Sequence, residues 1–495
     1  MFKNFKLLDC TLRDGGYINN WEFDEDFASN LYNCINSSRC EYIEVGFFEP
    51  QSQTPKPYTS FKPENIRPFL GGVTKTALLV NYNRELNLEM FPMQADFGIS
   101  MLRIAAHKQD RHEASEFSAQ LSAKGYETTV NYMGISNYSD AEIVELADLM
   151  NLYKGKVSYF YIADSFGSLV PAKTRWIFET LRNISDAGLG FHPHNNLQLA
   201  FANTFEALKN GADIVDGSIY GMGRGGGNLN LEALLVFLEQ AVPGKYDVLP
   251  VLDFAEIYME QLQKRYSWGY SLPNVISGAL ACHPNYPKEM LKFKSFSAKE
   301  VFDFLSVIPK TEKGKFNKEY CIDSFFNYRK EKSDNLKPIV SASFKNLVFE
   351  KQKKALVVCG GNSVATQREQ INDFISSNNP AIVSVNSTVL PFEINAVFFG
   401  NSRRFSRYYN EARDKYEVIL NPFIEPSNNI DLNIEFLSRV PIKAFLPSLS
   451  FAKNYPQKIP TNSGVEAILA LSYLGFKEIF VVGMDGYSIN QDKYY

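Results

Sequence analysis

The feature that most constrains the fold is a repeat in the first 240 or so residues, in which a short apolar run is followed by an amphipathic stretch. The repeat occurs eight times, and its apolar runs have the length and composition of buried strands. These predicted strands are residues 5–9, 42–46, 74–80, 97–105, 127–133, 157–163, 189–194 and 213–218. Eight strand–helix repeats predict a (β/α)8 TIM barrel, an α/β fold whose active site lies at the C-terminal ends of the strands.

Helix signals fill most of the segments between these runs. Ser139 is placed to cap one helix, and Pro171 suits the first turn of another. The predicted helices are residues 24–36, 107–124, 139–153, 171–187, 196–209 and 229–241. The connection 49–72 is long and rich in proline, and it carries no clear helix signal.

At 495 residues the chain is long for one domain. We predict the barrel over residues 1–243, a helical extension and linker over 244–335, and a Rossmann-like α/β domain over 350–495. Helical patterning at 254–266 and 298–305 supports the extension.

The last part of the chain starts with a strand, a glycine turn, a helix and a second strand. Residues 355–359 and 381–386 are the two strands, Gly360 and Gly361 form the turn, and 367–376 is the helix. This order is typical of a nucleotide-binding α/β fold. The turn lacks a full G-x-G-x-x-G pattern, so by itself it is weak evidence for phosphate binding.

Composition excludes several classes of partner. A net charge of −4 and a pI near 5.9 leave no basic footprint for nucleic acid. No stretch approaches the roughly 20 apolar residues of a membrane span. The cysteines show no C-x-x-C spacing, and a chain of this size needs no disulfide staples. They are Cys10, Cys34, Cys40, Cys282, Cys321 and Cys359. We expect a reduced, soluble, cytoplasmic protein.

Two short motifs supply the residues of a metal site. His192 and His194 are two positions apart at the end of the seventh strand, so both imidazoles face the same side. Asp14 follows the first strand with Arg13 beside it, and a closed barrel places all of these residues at one rim. One carboxylate and two imidazoles, with positions left for water and substrate, suit Mn²⁺ or Mg²⁺. Zn²⁺ is less favoured because the motifs contain no cysteine.

Simpler interpretations exist for each motif. An isolated His-x-His is more often a hydrogen-bonded pair than a metal site, and Asp-Gly is ordinary turn chemistry. The glycine-rich residues 221–228 equally suit a flexible turn. At the top of the eighth strand, however, bare backbone can approach a ligand, and Asn228 offers a carbonyl to a metal or a substrate.

Three segments together resemble the signatures of the DRE-TIM metallolyases: residues 9–15 (DCTLRDG), 192–195 (HPHN) and 221–228 (GMGRGGGN). That superfamily includes 4-hydroxy-2-oxovalerate aldolase, hydroxymethylglutaryl-CoA lyase, and the isopropylmalate and homocitrate synthases. The resemblance covers about the first 240 residues.

The resemblance implies a site and a reaction. Metal ligands would be Asp14, His192 and His194, with Asn228 as a fourth, and Arg13 would steady an enolate. The implied activity is a divalent-metal-dependent aldolase or lyase. It would cleave or form a carbon–carbon bond of a 4-hydroxy-2-oxo acid through a pyruvate enolate, with an aldehyde as the second fragment.

The general base departs from the aldolase pattern. Those enzymes have a histidine three residues after the ligand aspartate, where this chain has Tyr17. Tyrosine has an ordinary pKa of about 10 and is a poor base. Candidates are Tyr17 acting through water and His107 at the end of the fourth strand, although His107 also suits an exposed helix start. Further predicted substrate or supporting residues lie on or after strands two and four to six. They are Glu44, Arg103, Asn131, Asp164 and Ser165.

Near the chain end, residues 461–471 (TNSGVEAILAL) and 474–487 (LGFKEIFVVGMDGY) resemble a motif of bacterial sialyltransferases and the related motility accessory factors. The resemblance implies a set of residues around a nucleotide such as CMP. They are Asn362, Asn386, Asn401, Ser402, Ser463, Gly464 and Asp485. No histidine follows His283, which favours a nucleotide-sugar or glycan binding module, or a truncated transferase, over a complete glycosyltransferase. A degenerate domain kept for packing is the alternative.

We therefore expect an aldolase or lyase fused to a nucleotide-binding-type domain, in surface polysaccharide or sugar biosynthesis. As in related enzymes, the helical extension would support a homodimer. Two alternatives are a Claisen-type synthase that joins an acyl-CoA to a 2-oxo acid, and a nucleotide-sugar binding or transferase-like protein with an inert barrel.

Overall fold

The structure is a computed structural model. It describes residues 4–50, 57–62, 65–292, 297–334, 353–421, 424, 437–439 and 463–485. The described chain forms two compact units, one of Met1–Lys288 with Ile308–Phe316 and one of Glu289–Val307 with Asn317–Tyr495. The domain boundaries at 243, 335 and 350 stay predictions, and residues 335–350 lie outside the described residues, as do 461–462 and 486–487 of the last motif.

The first unit contains a closed barrel of eight parallel strands. Strand β1 pairs with β2 on one side and with β8 on the other, which closes the ring. The strands are β1 (Lys6–Asp9), β2 (Tyr42–Phe47), β3 (Lys75–Asn81), β4 (Met101–Ala106), β5 (Glu127–Met133), β6 (Tyr159–Asp164), β7 (Leu189–Pro193) and β8 (Ile214–Gly217). The predicted barrel is confirmed.

Helices follow the strands and continue beyond the barrel. They are α1 (Thr11–Asn19), α2 (Glu25–Ser37), α3 (Gln94–Phe97), α4 (Arg111–Leu121), α5 (Asp140–Tyr153), α6 (Pro171–Ile184), α7 (Ala200–Lys209), α8 (Leu231–Ala241), α9 (Leu249–Phe254), α10 (Glu260–Tyr266), α11 (Leu272–Ala279), α12 (Asn285–Leu291), α13 (Ala298–Val307), α14 (Lys310–Lys313) and α15 (Lys318–Asp334). A π-helical turn, Ala255–Met259, joins α9 to α10.

The local signals at two helix starts are confirmed. The Ser139 hydroxyl accepts a hydrogen bond from the Glu142 backbone N–H, and the Glu142 carboxylate accepts one from the Ser139 backbone N–H at 2.7 Å. This capping box satisfies two free donors of α5. Pro171 occupies the first turn of α6, where its missing N–H costs no hydrogen bond.

Several element boundaries differ from the prediction. Residues 11–19, to which the sequence analysis assigned no element, form helix α1 directly after β1. Strand β4 begins at Met101 because Gly98 adopts φ +84°, which ends the short helix α3. Helix α7 begins at Ala200. The Asn195 side chain accepts a hydrogen bond from the Ala200 N–H, and the Asn196 side chain accepts one from the Gly226 N–H, so both residues precede the helix.

The barrel interior is built from inward-facing side chains of successive strands. An apolar layer near the N-terminal ends includes Leu8, Met101, Tyr161 and Ile214. Tyr42 of β2 belongs to the same layer, and two residues further along β2, β4 and β8 the inward positions are the charged residues Glu44, Arg103 and Asp216. This second layer leads to the rim where β7 ends. Such inward layers are a regular feature of eight-stranded barrels.

The second unit contains a six-stranded parallel sheet in the order β13-β12-β11-β10-β9-β14. Its strands are β9 (Lys354–Val358), β10 (Ala381–Val385), β11 (Ala396–Phe399), β12 (Glu417–Leu420), β13 (Leu437–Arg439) and β14 (Glu478–Val482). Its further helices are α16 (Ser363–Thr366), α17 (Arg368–Asn378), α18 (Ser402–Ala412) and α19 (Ser463–Leu474). Within the described residues, every helix is too short or too polar to cross a membrane.

Candidate metal centre

Three buried side chains meet at the C-terminal rim of the barrel. Asp14 lies in the first turn of α1, His192 lies in β7, and His194 follows the last residue of β7. One ligand atom from each lies within 4.8 Å of those of the other two. The two imidazole rings are perpendicular, with their centroids 5.0 Å apart. A carboxylate and two imidazoles at this spacing can hold a divalent metal ion.

Each imidazole is oriented by a contact at Nδ1. His192 Nδ1 lies 2.9 Å from Asp216 Oδ2, and His194 Nδ1 lies 3.3 Å from the Gly227 carbonyl oxygen. With the proton on Nδ1, both rings donate to these oxygens and keep Nε2 as a ligand atom. Burial lowers the pKa of His194 to about 3 although the Asp14 carboxylate opposes the shift, so this ring is neutral and able to bind a cation.

The Asp14 carboxylate is held in its charged form. Arg13 donates to Oδ1 at 2.6 Å, and Asn228 donates to Oδ2 at 2.7 Å. Burial by itself raises the carboxyl pKa, but the Arg13 guanidinium and the two nearby histidines hold the pKa of Asp14 well below its ordinary value. An ionised carboxylate is therefore present at neutral pH to bind a metal.

Asn228 carries an independent sign that a cation belongs here. Its amide nitrogen donates to Asp14 and also lies 3.2 Å from the Met222 carbonyl oxygen, which it can reach as a donor. Its amide oxygen is buried and has no hydrogen-bond partner among the residues that the structure describes. A buried acceptor without a partner is costly, and amide oxygens are good ligands for hard divalent ions. The donor set therefore fits a metal ion.

A row of buried charges connects Arg13 to His192 through the barrel. Arg13 Nε donates to one Glu44 oxygen at 2.6 Å. The other Glu44 oxygen lies 2.9 Å from Arg103 and forms an ion pair with it, without the alignment of a hydrogen bond. Arg103 donates to Asp216, which accepts from His192 in turn. We call Arg13, Glu44, Arg103, Asp216 and His192 the interior charge row. Because every charge in the row has an opposite neighbour, the desolvation cost of each is offset.

This arrangement places two predicted substrate residues deeper than the rim. Glu44 and Arg103 are completely buried, and the Arg103 guanidinium lies 4.3 Å from the centre of the Tyr161 ring. Their contacts in the structure are those of supporting residues that orient Arg13 and His192.

The loop after β8 is pinned over the site. Gly225 and Gly227 adopt φ values of +65° and +84°, which side chains other than glycine rarely adopt. Asn196 accepts a hydrogen bond from the Gly226 N–H at 2.9 Å, and Asn274 donates to the Gly225 carbonyl at 2.8 Å. Trp268 donates to the Tyr220 carbonyl at 2.9 Å. The loop is thus a fixed part of the rim.

The two predicted base candidates lie on the rim. Tyr17 is 42% exposed, and its ring centre lies 4.7 Å from that of Trp21. Burial of its hydroxyl raises the pKa of Tyr17, so the phenol is neutral at physiological pH. His107 is an exposed residue just after β4, and desolvation together with Lys315 and Arg224 lowers its pKa. A neutral His107 can accept a proton, which the Tyr17 phenol cannot.

Three other predicted residues make local contacts. Asn131 accepts a hydrogen bond from the Thr129 hydroxyl, and the Ser165 hydroxyl accepts one from the Gly134 N–H. Asp164 accepts from two backbone amides, and burial raises its pKa to about 6.

The predicted nucleotide residues that the structure describes fall at the C-terminal edge of the second sheet. Ser363 donates through its N–H and its hydroxyl to the Asp485 carboxylate. Asn386 accepts from the Gly400 N–H, and Asn401 caps α18. Asn362, Ser402, Ser463 and Gly464 lie at the starts of α16, α18 and α19.

Sequence reasoning missed three residues of the barrel site. Asp216 is two positions after Ile214 in β8 and shares its inward direction, a signal the strand pattern contained. Arg224 was considered only as part of a glycine-rich loop. His283 lies beyond the barrel and carries no motif that could have identified it.

Comparisons with known proteins place the chain among metabolic enzymes. A family model described as HMGL-like matches residues 94–261, a range that contains His192, His194 and Asn228. The chain is 30% identical over 244 residues to an oxaloacetate decarboxylase of Mycobacterium tuberculosis, covering 47% of this chain and 70% of that protein. It is 27% identical over 267 residues to a 4-hydroxy-2-oxovalerate aldolase of Brevibacillus brevis, covering 52% and 76%. The N-terminal domain of a proposed aldolase from Bacteroides vulgatus superimposes with a TM-score of 0.53 and 28% identity, over 60% of this chain and 98% of that one.

Proposed function

The chain belongs to the HMGL-like family, and on that premise we propose that its barrel is a divalent-metal-dependent lyase. It would cleave a carbon–carbon bond of a 2-oxo acid through a pyruvate enolate. The observation that carries the proposal is the buried group of Asp14, His192 and His194 with Arg13 beside it. Mn²⁺ or Mg²⁺ is proposed over Zn²⁺ because the set contains oxygen and nitrogen donors without sulfur.

A metal ion in this site would supply Lewis-acid chemistry to the 2-oxo acid. The chain supplies the rest. Arg13 is fixed by Asp14 and Glu44 at 2.6 Å each, so its guanidinium needs no reorganisation to stabilise negative charge on the enolate oxygen. In aldol cleavage a base takes the 4-hydroxyl proton, the C3–C4 electron pair passes into the enolate, and an aldehyde leaves. A proton returned to C3 then gives pyruvate.

We assign the base to His107 in preference to Tyr17. The pKa of His107 is lowered and that of Tyr17 is raised, so only the histidine is in its basic form at neutral pH.

A second candidate reaction is decarboxylation of oxaloacetate. It breaks the same C3–C4 bond and leaves CO₂ in place of an aldehyde, so it needs no base for a 4-hydroxyl. Two observations favour it: the 30% identity to an oxaloacetate decarboxylase, and the protonated Tyr17 at the position where the aldolases have a histidine.

The test is pyruvate release from 4-hydroxy-2-oxovalerate and from oxaloacetate, with Mn²⁺ or Mg²⁺ supplied. We expect metal-dependent release from one of them, lost in Asp14→Asn and His192→Ala and kept in the exposed control Asp186→Asn. Metal binding without release from either substrate would contradict the lyase and direct the assay to thiol release from an acyl-CoA, the Claisen alternative. Absence of metal binding would leave the inert barrel.

For the second unit we propose a Rossmann-like fold that binds a nucleotide or nucleotide-sugar. The support is its parallel sheet, whose strand order reverses direction between β9 and β14. Ligands of such sheets bind beyond the strand ends at this switch point. Ser363 and Asp485 lie there. Calorimetric titration with CMP tests the proposal, and unchanged heats on Asp485→Ala would contradict it.

The remaining proposals concern context. We propose a homodimer and a role in surface polysaccharide or sugar biosynthesis. Sedimentation at micromolar concentration tests the first.

A further inference from the structure

Arg224 extends over the mouth of the barrel from the loop after β8. Its guanidinium lies 5.9 Å from the centre of the Tyr17 ring, which belongs to α1, and 3.4 Å from the Ser165 carbonyl oxygen, which follows β6. The side chain therefore crosses the rim between the first and the sixth strands, above the ends of β7 and β8 where the candidate metal centre lies.

The charge of Arg224 is not neutralised by an acid. Among the described residues, no carboxylate lies within ion-pair distance of its guanidinium, and its Nε is buried without a hydrogen-bond partner. The nearby carboxylate of Asp14 is already engaged by Arg13 and Asn228. Arg224 is half-buried, and a partly desolvated cation is stabilised when an anion pairs with it.

The Arg224 position is built rather than incidental. The backbone on either side is fixed by the Asn196 and Asn274 contacts and by the two glycines with positive φ. A fixed guanidinium loses little conformational entropy when it binds a ligand, which is the property of a preorganised site.

His283 offers a second donor and follows α11, whose Asn274 contacts the loop that carries Arg224. Its Nδ1 accepts a hydrogen bond from the Asn285 N–H at 3.2 Å, so the neutral ring carries its proton on Nε2, where it can donate. The ring stacks on Phe316, with centroids 5.9 Å apart. Burial, followed by the charge of Arg224, lowers the pKa of His283 to about 3, which keeps the ring neutral.

Lys315 adds a second positive charge. It is exposed, its carbonyl accepts from the Tyr286 hydroxyl at 3.1 Å, and its charge lowers the pKa of His107, as that of Arg224 does. The charges of Arg224 and Lys315 both act on His107 at the rim, and the charge of Arg224 also acts on His283, so the three residues supply two cations and one N–H donor within electrostatic range of one another. We call these three residues the mouth cluster.

We propose that the mouth cluster binds a second anionic group of the substrate, a carboxylate or a phosphate, at the end opposite the 2-oxo acid. This inference rests on the proposed function, because it requires the 2-oxo acid to lie at the metal centre. It narrows the substrate class to dianions, that is, 2-oxo acids that carry a second negative charge on the fragment that leaves. A guanidinium fork together with an N–H donor matches the oxygens of either anion.

The test measures binding, which does not depend on turnover. Protein loaded with Mn²⁺ is titrated in a calorimeter with 2-oxoglutarate, with its uncharged-end counterpart 2-oxopentanoate, and with 2-oxo-4-phosphonobutanoate. Wild type is compared with Arg224→Gln and with Arg265→Gln, which removes an exposed arginine of the same unit. We expect one of the dianions to bind at least about 10-fold more tightly than 2-oxopentanoate. Which of the two dianions binds more tightly distinguishes carboxylate from phosphate.

Arg224→Gln is expected to weaken binding of the preferred dianion by about 10- to 100-fold and that of 2-oxopentanoate by less than about 3-fold. Arg265→Gln should change neither. If Arg224→Gln fails to fold, Lys315→Gln, at an exposed position, repeats the test. We expect it to lower the affinity for dianions by a smaller factor and to leave the affinity for 2-oxopentanoate unchanged.

Equal affinity of wild type for charged and uncharged 2-oxo acids would overturn this proposal and leave the proposed function standing. If Arg224→Gln weakened the binding of the charged and the uncharged ligand equally, this proposal would also be overturned and the proposed function would stand. If Mn²⁺ binds and no 2-oxo acid does, the proposed function itself fails.

Discussion

Asp216→Asn tests whether the interior charge row orients a metal ligand. In the native protein Asp216 Oδ2 accepts from Arg103 and lies 2.9 Å from His192 Nδ1. Burial by itself raises the Asp216 pKa, but the Arg103 guanidinium and His192 lower it below its ordinary value, so the side chain is a carboxylate at neutral pH. Both neighbours therefore meet an acceptor.

Asparagine has the same shape but offers one acceptor and one donor. Arg103 and His192 Nδ1 both contact Oδ2, so an asparagine either keeps its oxygen there without the negative charge or turns its NH₂ group toward both of them. The first orientation weakens the hydrogen bond that holds the Nδ1 proton. In the second orientation the imidazole must accept at Nδ1 and carry its proton on Nε2, which blocks the ligand atom. Loss of such a supporting carboxylate weakens metal binding by about 10- to 100-fold, or roughly 1.4–2.7 kcal/mol.

The assay is titration with Mn²⁺ at neutral pH, with free Mn²⁺ followed by its paramagnetic resonance signal. The matched control is Asp213→Asn, an Asp at the opposite end of β8 that pairs with Arg182 at 2.7 Å. We expect the control to bind Mn²⁺ like wild type. A folded Asp216→Asn protein whose Mn²⁺ affinity stays within twofold of wild type would refute the orienting role, and Asp216→Glu, which keeps the charge, should restore part of any loss.

Four further predictions follow from the same geometry. Asp14→Asn and His194→Ala should each weaken Mn²⁺ binding in the same titration by more than the roughly 10- to 100-fold expected for a supporting residue. Burial raises the pKa of Asp9 to about 7, so the stability linked to its protonated form is complete below the unfolded value of 3.8 and is lost as pH rises through about 7. Urea unfolding at about pH 5 and pH 8 should show this decline in wild type and a flatter one in Asp9→Asn. Ser139→Ala should lower the free energy of unfolding by about 1 kcal/mol, and an unchanged urea midpoint would contradict its capping role. Gly227→Ala should cost at least about 1 kcal/mol in thermal or urea unfolding, because φ is +84° there and the added carbon would lie 2.3 Å from a carbonyl oxygen.

Much of the first unit was predictable from local patterns. The spacing of apolar runs was sufficient for the barrel, because a buried strand and its helix are each encoded in a few consecutive residues. Ser139 and Pro171 marked helix starts for the same reason. Asp14 and the two histidines were expected at one rim because strands of a barrel all end there.

What the sequence by itself determined was therefore the set of elements and the residues at their ends. Only the tertiary structure decided which distant side chains meet. Glu44 pairs with Arg103, and Arg103 with Asp216, through inward positions set by strand register around the closed ring. Asn196 donates to the Ser277 hydroxyl because the chain beyond the barrel returns to its mouth. Such pairings depend on register and chain return over more than fifty residues, and no local pattern of hydrophobicity or charge records them.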